Sequence, residues 1–150
     1  MKKSIFTTIF LITSFGLFAQ SKEIIKTDKA PVPIAPYSQG IKANGFLFVS
    51  GQIGLNPSTR KLVEGGTEAE AVQIMENIRA VLAAGGAKME DIVSTVVYLK
   101  NMDDFPKMNE IYGKYFTGNY PTRSTVGVNS LAGGANIEIT VTALLPARKK

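Results

Sequence analysis

Arg123 stands in the stretch Tyr120-Pro121-Thr122-Arg123-Ser124 and opens a run that reads as a strand, so its guanidinium projects from a sheet end fixed by the preceding proline. A planar guanidinium binds a carboxylate through two parallel hydrogen bonds, which orients a small acid as well as attracting it. Histidine, cysteine and tryptophan are all absent from the chain. Their absence excludes Ser-His-Asp and Cys-His sites, a ribonuclease using paired histidines, and almost any zinc site. Carboxylate, hydroxyl, lysine, arginine and backbone chemistry remain. Among the carboxylates Glu138 is conspicuous, because it falls among threonines on one side of the final strand, where it is out of place unless partnered. The expectation is a strand neighbouring that of Arg123, with Ser124 and Thr125 adding hydroxyls.

Further candidates are Tyr37 and Ser38 after Pro36, Ser50-Gly51-Gln52 at a strand end, and Asn109 and Tyr112 on a helix. Each also has a structural reading: Tyr37 as a core-edge filler, Gly51 as the residue of a bulge, Asn109 as a solvated helix position. The pairs Gly65-Gly66 and Gly133-Gly134 lack the spacing of phosphate-binding loops and read as turns.

The elements that must position these residues follow from pattern. Pro31, Pro33 and Pro36 make residues 28 to 39 an ordered loop. Asn44-Gly45 between two apolar runs predicts a hairpin. Thr67 and Glu70 have the spacing of a capping box, and Ala71, Ile74, Met75, Ile78, Val81 and Leu82 recur at helical spacing until Gly85-Gly86. Ile92 to Leu99 is rich in β-branched residues and reads as a strand. Asp103 or Asp104 is expected to cap a second helix through Phe116, with Phe105, Met108, Ile111, Tyr112, Tyr115 and Phe116 on one side. Strands Arg123 to Val128 and Asn136 to Leu145 end the chain. The predicted fold is α+β, one sheet with two helices packed on one face.

Two helices cover only one face of a sheet. Alternation puts Ile137, Ile139, Val141 and Ala143 on one side of the last strand and Glu138, Thr140, Thr142 and Leu144 on the other. With Val93, Val97 and Leu99, or their alternates, also expected on the uncovered face, that face is predicted to meet another subunit in a homo-oligomer.

The N-terminus has the layout of a secretory signal peptide: Lys2-Lys3, an apolar stretch from Ile5 to Phe18, then Ala19-Gln20-Ser21. Cleavage after Ala19 is expected to leave a single domain, residues 20 to 150, in a periplasmic or secreted location with no membrane attachment; the alternative is an uncleaved anchor, since Leu17 is larger than the usual small residue two places before Ala19. Two of the 17 basic residues leave with the signal, so the net charge falls from +5 to +3. That balance, including the tail Arg148-Lys149-Lys150, gives no nucleic-acid footprint.

Ala35-Pro36-Tyr37-Ser38-Gln39-Gly40, Phe48-Val49-Ser50-Gly51-Gln52-Ile53, Met108-Asn109-Glu110-Ile111-Tyr112 and Tyr120 to Val126, followed by Ile137-Glu138-Ile139, together resemble the successive signatures of the RidA (YjgF) family of imine deaminases. The resemblance covers residues 22 to 147. It implies a chorismate-mutase-like fold with a mixed sheet, a homotrimer with sites between subunits, and hydrolysis of 2-iminobutanoate or 2-iminopropanoate to the keto acid and ammonia without cofactor or metal. It further implies that Arg123 holds the substrate carboxylate, that Glu138 positions or deprotonates water, and that Tyr37, Ser50, Gly51, Asn109 and the Thr125 backbone line the pocket. Many members carry cysteine where this chain has Thr125. Orientation beside one water suits an imine, which is already electrophilic. The alternatives are a non-catalytic protein that binds a small carboxylate or a partner on the same trimeric scaffold, and a ribonuclease activity for which the residues supply no mechanism.

Overall fold

A computed structural model describes residues 22–147. The segment expected to be a signal peptide and the basic tail lie outside the described residues. In chain order the elements are β1 (Glu23–Ile25), β2 (Gly40–Ala43), β3 (Phe46–Ile53), α1 (Gly66–Gly85), β4 (Ile92–Leu99), α2 (Phe105–Gly113), β5 (Thr122–Gly127) and β6 (Ile137–Leu144). The strands form one sheet in the order β1-β2-β3-β6-β4-β5. Only β4 and β5 pair in parallel, with α2 as the crossover; the other pairs are antiparallel, so the sheet is mixed.

The hairpin between β2 and β3 turns on Asn44 and Gly45, both at positive φ (50° and 80°), the conformation that the Asn-Gly pair supplies most readily. The predicted apolar stripe of α1 is wholly buried, and Gly86 ends the helix with its N–H donating to the Ala83 carbonyl at 3.0 Å. Leu47, Ile74, Ile78, Leu82, Leu99, Ile137 and Ile139 form the centre of the core between the helices and the sheet. Each such side chain contributes about 1.5–3 kcal/mol by leaving water. On β6, Ile137, Ile139, Val141 and Ala143 face this core as alternation predicts.

Several local expectations are corrected. Thr67 and Glu70 make no capping box: Gly65 is the N-cap of α1 and carries no side chain. The Thr67 hydroxyl instead donates to Asp104 Oδ2 at 2.5 Å, and the buried Glu70 carboxylate accepts from the Asn136 backbone N–H and Nδ2 at 2.9 and 2.6 Å, tying α1 to the start of β6. Glu70 is thus recruited by tertiary partners that spacing alone does not reveal. Neither Asp103 nor Asp104 caps α2 with its side chain; Asn101 accepts from the Asp103 N–H and starts a short 3₁₀ turn that leads into the helix. The α2 helix stops at Gly113 rather than Phe116, and the chain continues through turns in which Phe116 still reaches the core. Val97 and Leu99 lie under the helices, and it is their alternates Ser94, Val96 and Tyr98 that face the uncovered side, with Val93 at an irregularity in the pairing. The first strand, β1, has no counterpart in the sequence reading.

Register assigns the uncovered face. Ile24 pairs with Ile41, Ile41 with Phe48, Phe46 with Leu144, and Glu138 with Tyr98. Ile24, Phe46, Phe48, Leu144 and Val126 are each at least one-third exposed there, so the face is apolar at one end and polar around Glu138.

Candidate functional site

Arg123 lies on the edge strand β5, in register with Thr95 of β4, and Thr125 is in register with Val97. Thr95 and Val97 are buried beneath the helices, so Arg123 and Thr125 belong to the helix-covered side of the sheet. The guanidinium carbon is 4.8 Å from the centre of the Tyr112 ring and 5.6 Å from that of Phe105, both on α2. Attraction between a cation and an aromatic face holds the side chain there without neutralising it. The ion pairs among the described residues are Lys42–Glu23, Arg79–Glu76 and Lys107–Glu68, and Arg123 takes part in none of them. Tyr112 is itself fixed by a buried hydrogen bond from its hydroxyl to Thr95 Oγ1 at 3.1 Å. Burial pushes its phenol above the usual range, an effect partly offset by the Thr95 bond and the Arg123 charge. Asn109, Tyr112, Gly113, Tyr120, Pro121 and Arg123 line a cleft of about 410 Å³. Spacing along α2 explains the grouping, since Asn109 and Tyr112 are three residues apart and share a face.

Glu138 occupies the other face. Its carboxylate lies directly over Gly51: a Cβ built at that glycine would come within 1.9 Å of Glu138 Oε1. Gly51 sits where the β3–β6 register shifts between Val49 and Gln52, so the bulge reading of this residue holds, and the bulge places it under the Glu138 carboxylate. The Thr140 hydroxyl donates to the Val49 carbonyl at 2.8 Å and secures the strand beside the bulge. Half-buried and without a cationic partner among the described residues, the Glu138 carboxyl is pushed above the usual range by desolvation.

Ser50 joins the Glu138 group through the bulge, but its hydroxyl is already committed, donating to the Ser38 carbonyl at 2.6 Å, while its N–H donates to the Gln39 carbonyl at 3.1 Å. These bonds hang the proline-rich loop on β3 and carry Tyr37 with it. Tyr37 is exposed rather than filling the core edge, and lines a broader groove of about 840 Å³ with Val32, Pro33 and Ser38.

The candidates therefore fall into two groups. Arg123, Asn109 and Thr125 belong to the helix-covered side and Glu138 with Gly51 to the other, while Ser50 adjoins Gly51 in the chain and bonds through Ser38 to the loop that carries Tyr37. The expected neighbouring of Arg123 and Glu138 is not found within one chain, because β4 lies between their strands and the two side chains leave opposite faces. The sequence shows the strands but not their order in the sheet.

Three supporting residues escaped sequence reasoning. Thr95 is a hydroxyl inside a β-branched run, a signal readable only once its burial is known. Phe105 lies on the apolar side of α2 and also flanks the arginine. Gln39, almost fully buried, accepts from the Thr27 N–H and donates to the carbonyls of Thr27, Ala30 and Pro31, so one side chain organises the loop that presents Tyr37.

Comparison with known proteins agrees with this architecture. The family model described as Endoribonuclease L-PSP matches residues 27–145. A RutC family protein of Saccharolobus solfataricus is 49% identical over 122 residues, covering 81% of this chain and 97% of the relative. A protein of Dermatophagoides farinae named 2-iminobutanoate/2-iminopropanoate deaminase is 43% identical over 118 residues, covering 79% of this chain and 92% of that one. Among solved structures, TdcF of E. coli with bound serine superposes with a TM-score of 0.79 at 34% identity, covering 83% of this chain and 99% of that chain. With its mixed six-stranded sheet, two helices on one face and a match across residues 27–145, this chain belongs to the Endoribonuclease L-PSP family, which includes the RidA, YjgF and RutC proteins.

Proposed function

We propose that the protein is a cofactor-free hydrolytic deaminase that converts 2-imino acids, 2-iminobutanoate and 2-iminopropanoate among them, to 2-keto acids and ammonia. The observation that carries this reading is Arg123, a cation resting on aromatic rings beside a cleft, with no carboxylate among the described residues paired to it. Such a group is ready to take a substrate carboxylate through two parallel hydrogen bonds. The deaminase name of the Dermatophagoides farinae relative supports the reaction class.

In this reading water adds to the imine carbon while Glu138 accepts its proton. That proton passes to the nitrogen to give a carbinolamine, and as its hydroxyl proton in turn moves to the nitrogen through the same carboxylate the carbon–nitrogen bond breaks, releasing ammonia and leaving the keto acid carbonyl. A desolvated carboxylate is a stronger base than one in water, which suits Glu138 to the task. Tyr37, Ser50, Gly51, Asn109 and the Thr125 backbone enclose the substrate. Because Arg123 and Glu138 leave opposite faces of one chain, the complete site takes each from a different subunit. A homotrimer closed through the uncovered sheet face, with sites at its three boundaries, meets that need. The same reading places the mature protein outside the cytoplasm after cleavage near Ala19, which N-terminal sequencing of protein from fractionated cells tests.

The experiment is a deaminase assay on purified protein with iminobutanoate generated in situ. Wild type accelerates loss of the imine, and Arg123→Ala abolishes the acceleration while keeping the oligomer; full activity in the variant refutes the role of Arg123. A second reading, binding of a small carboxylate without turnover, draws on the bound serine of the TdcF structure. Tight keto-acid binding in calorimetry with no loss of imine favours it.

A further inference from the structure

We infer that Tyr112, locked by Thr95, is a positioning residue that sets the orientation of Arg123 for the substrate carboxylate. The inference rests on the reading of the Arg123 cleft as the carboxylate site. An arginine on an edge strand has many rotamers, and only a few present its planar fork in one direction. Among the described residues no carboxylate or carbonyl bonds to Arg123; what lies within reach are the faces of Tyr112 and Phe105, at 4.8 and 5.6 Å. The orientation of the cation therefore follows that of the ring beneath it.

The ring in turn is not free to rotate away. Tyr112 is 4% exposed, and its hydroxyl bonds to Thr95 Oγ1, which is itself 1% exposed. Displacing the ring leaves two buried hydroxyls without partners, a cost that simple packing of a phenylalanine does not impose. Thr95 is also the register partner of Arg123 across the parallel β4–β5 pair. One strand pairing thus fixes the root of the arginine and the anchor of the ring on which its tip rests. This chain of contacts explains why a threonine interrupts an otherwise apolar buried row on β4.

The test measures the Kd of 2-oxobutanoate, the product of the proposed reaction, with kcat and KM for iminobutanoate. Tyr112→Leu keeps an apolar filler and removes the ring face, and is expected to weaken binding roughly tenfold, with KM rising more than kcat falls. Tyr112→Phe and Thr95→Val each remove the same hydrogen bond; each is expected to weaken binding by about threefold, and together by no more than either alone. In an Arg123→Ala background, Tyr112→Leu is expected to have no further effect on Kd, whereas a purely structural role gives additive losses. Wild-type affinity in Tyr112→Leu while Arg123→Ala binds measurably more weakly overturns the inference and leaves the functional reading standing. If Tyr112→Leu does not fold, unchanged Kd in both Tyr112→Phe and Thr95→Val overturns it equally. Wild type that neither binds 2-oxobutanoate nor consumes the imine overturns the functional reading and this inference with it.

Discussion

Arg123 and Glu138 project from opposite faces of one sheet, with β4 between their strands. A guanidinium and a carboxylate so placed do not meet within a single chain. Arg123 keeps its charge uncompensated on an aromatic shelf, and Glu138 is raised by burial over a glycine. The proposed function gives each a partner outside its own chain.

The uncovered face is the first place to test this. Phe48 is 48% exposed and in register with Ile41 on one side and Thr142 on the other, in the middle of the apolar end. Phe48→Glu places a charge where an apolar contact is expected and should convert the assembly to monomers, with activity lost because no complete site remains. Sedimentation velocity reads the mass; a variant that stays assembled and active contradicts the placement of the interface.

Gly51→Ala tests the seat of Glu138. The added methyl would lie 1.9 Å from Glu138 Oε1, so the carboxylate has to move. Stability should fall by about 1–3 kcal/mol and activity by at least an order of magnitude. The stability loss should be largely relieved in a Gly51→Ala/Glu138→Ala double variant, measured by denaturant unfolding.

Glu138 also predicts a pH dependence of definite sign. Its folded carboxyl is raised by burial above the unfolded value, so the folded state binds the proton more tightly. Its contribution to stability is fully present below the unfolded carboxyl range and is lost as pH rises through the folded value. Glu138→Gln should therefore be more stable than wild type at neutral pH, and the difference should vanish in acid. Thermal unfolding across this range checks it; a difference that instead grows toward acid has the wrong sign.

Gln39→Ala removes four hydrogen bonds from the loop that carries Tyr37. A loss of about 1–3 kcal/mol is expected from the buried groups left unpaired. Because the loop rather than the core is released, KM should rise while the β-sheet signal in circular dichroism persists.

Elements governed by local pattern were legible in the sequence: the stripe of α1, the Asn44-Gly45 hairpin and the alternation of β6 all stand where periodicity puts them. What pattern could not supply was long-range. Glu70 matches a capping box by spacing, yet Asn136, 66 residues away, takes its carboxylate. Gly113 ends α2 although apolar residues continue at helical spacing to Phe116, whose side chain reaches the core from a turn. The residues of the candidate site were readable by type, but their division between two faces depends on strand order, which no single strand encodes.

Subunit complementation tests the central claim most directly. Arg123→Ala and Glu138→Gln are each expected to be inactive alone, and mixed trimers are formed by unfolding and refolding them together in equal amounts. If each site takes its arginine from one subunit and its carboxylate from the next, random mixing restores about a quarter of wild-type iminobutanoate deaminase activity per site. No recovery in mixed assemblies, with each parent variant confirmed folded and inactive, contradicts a site shared between Arg123 and Glu138 of different subunits.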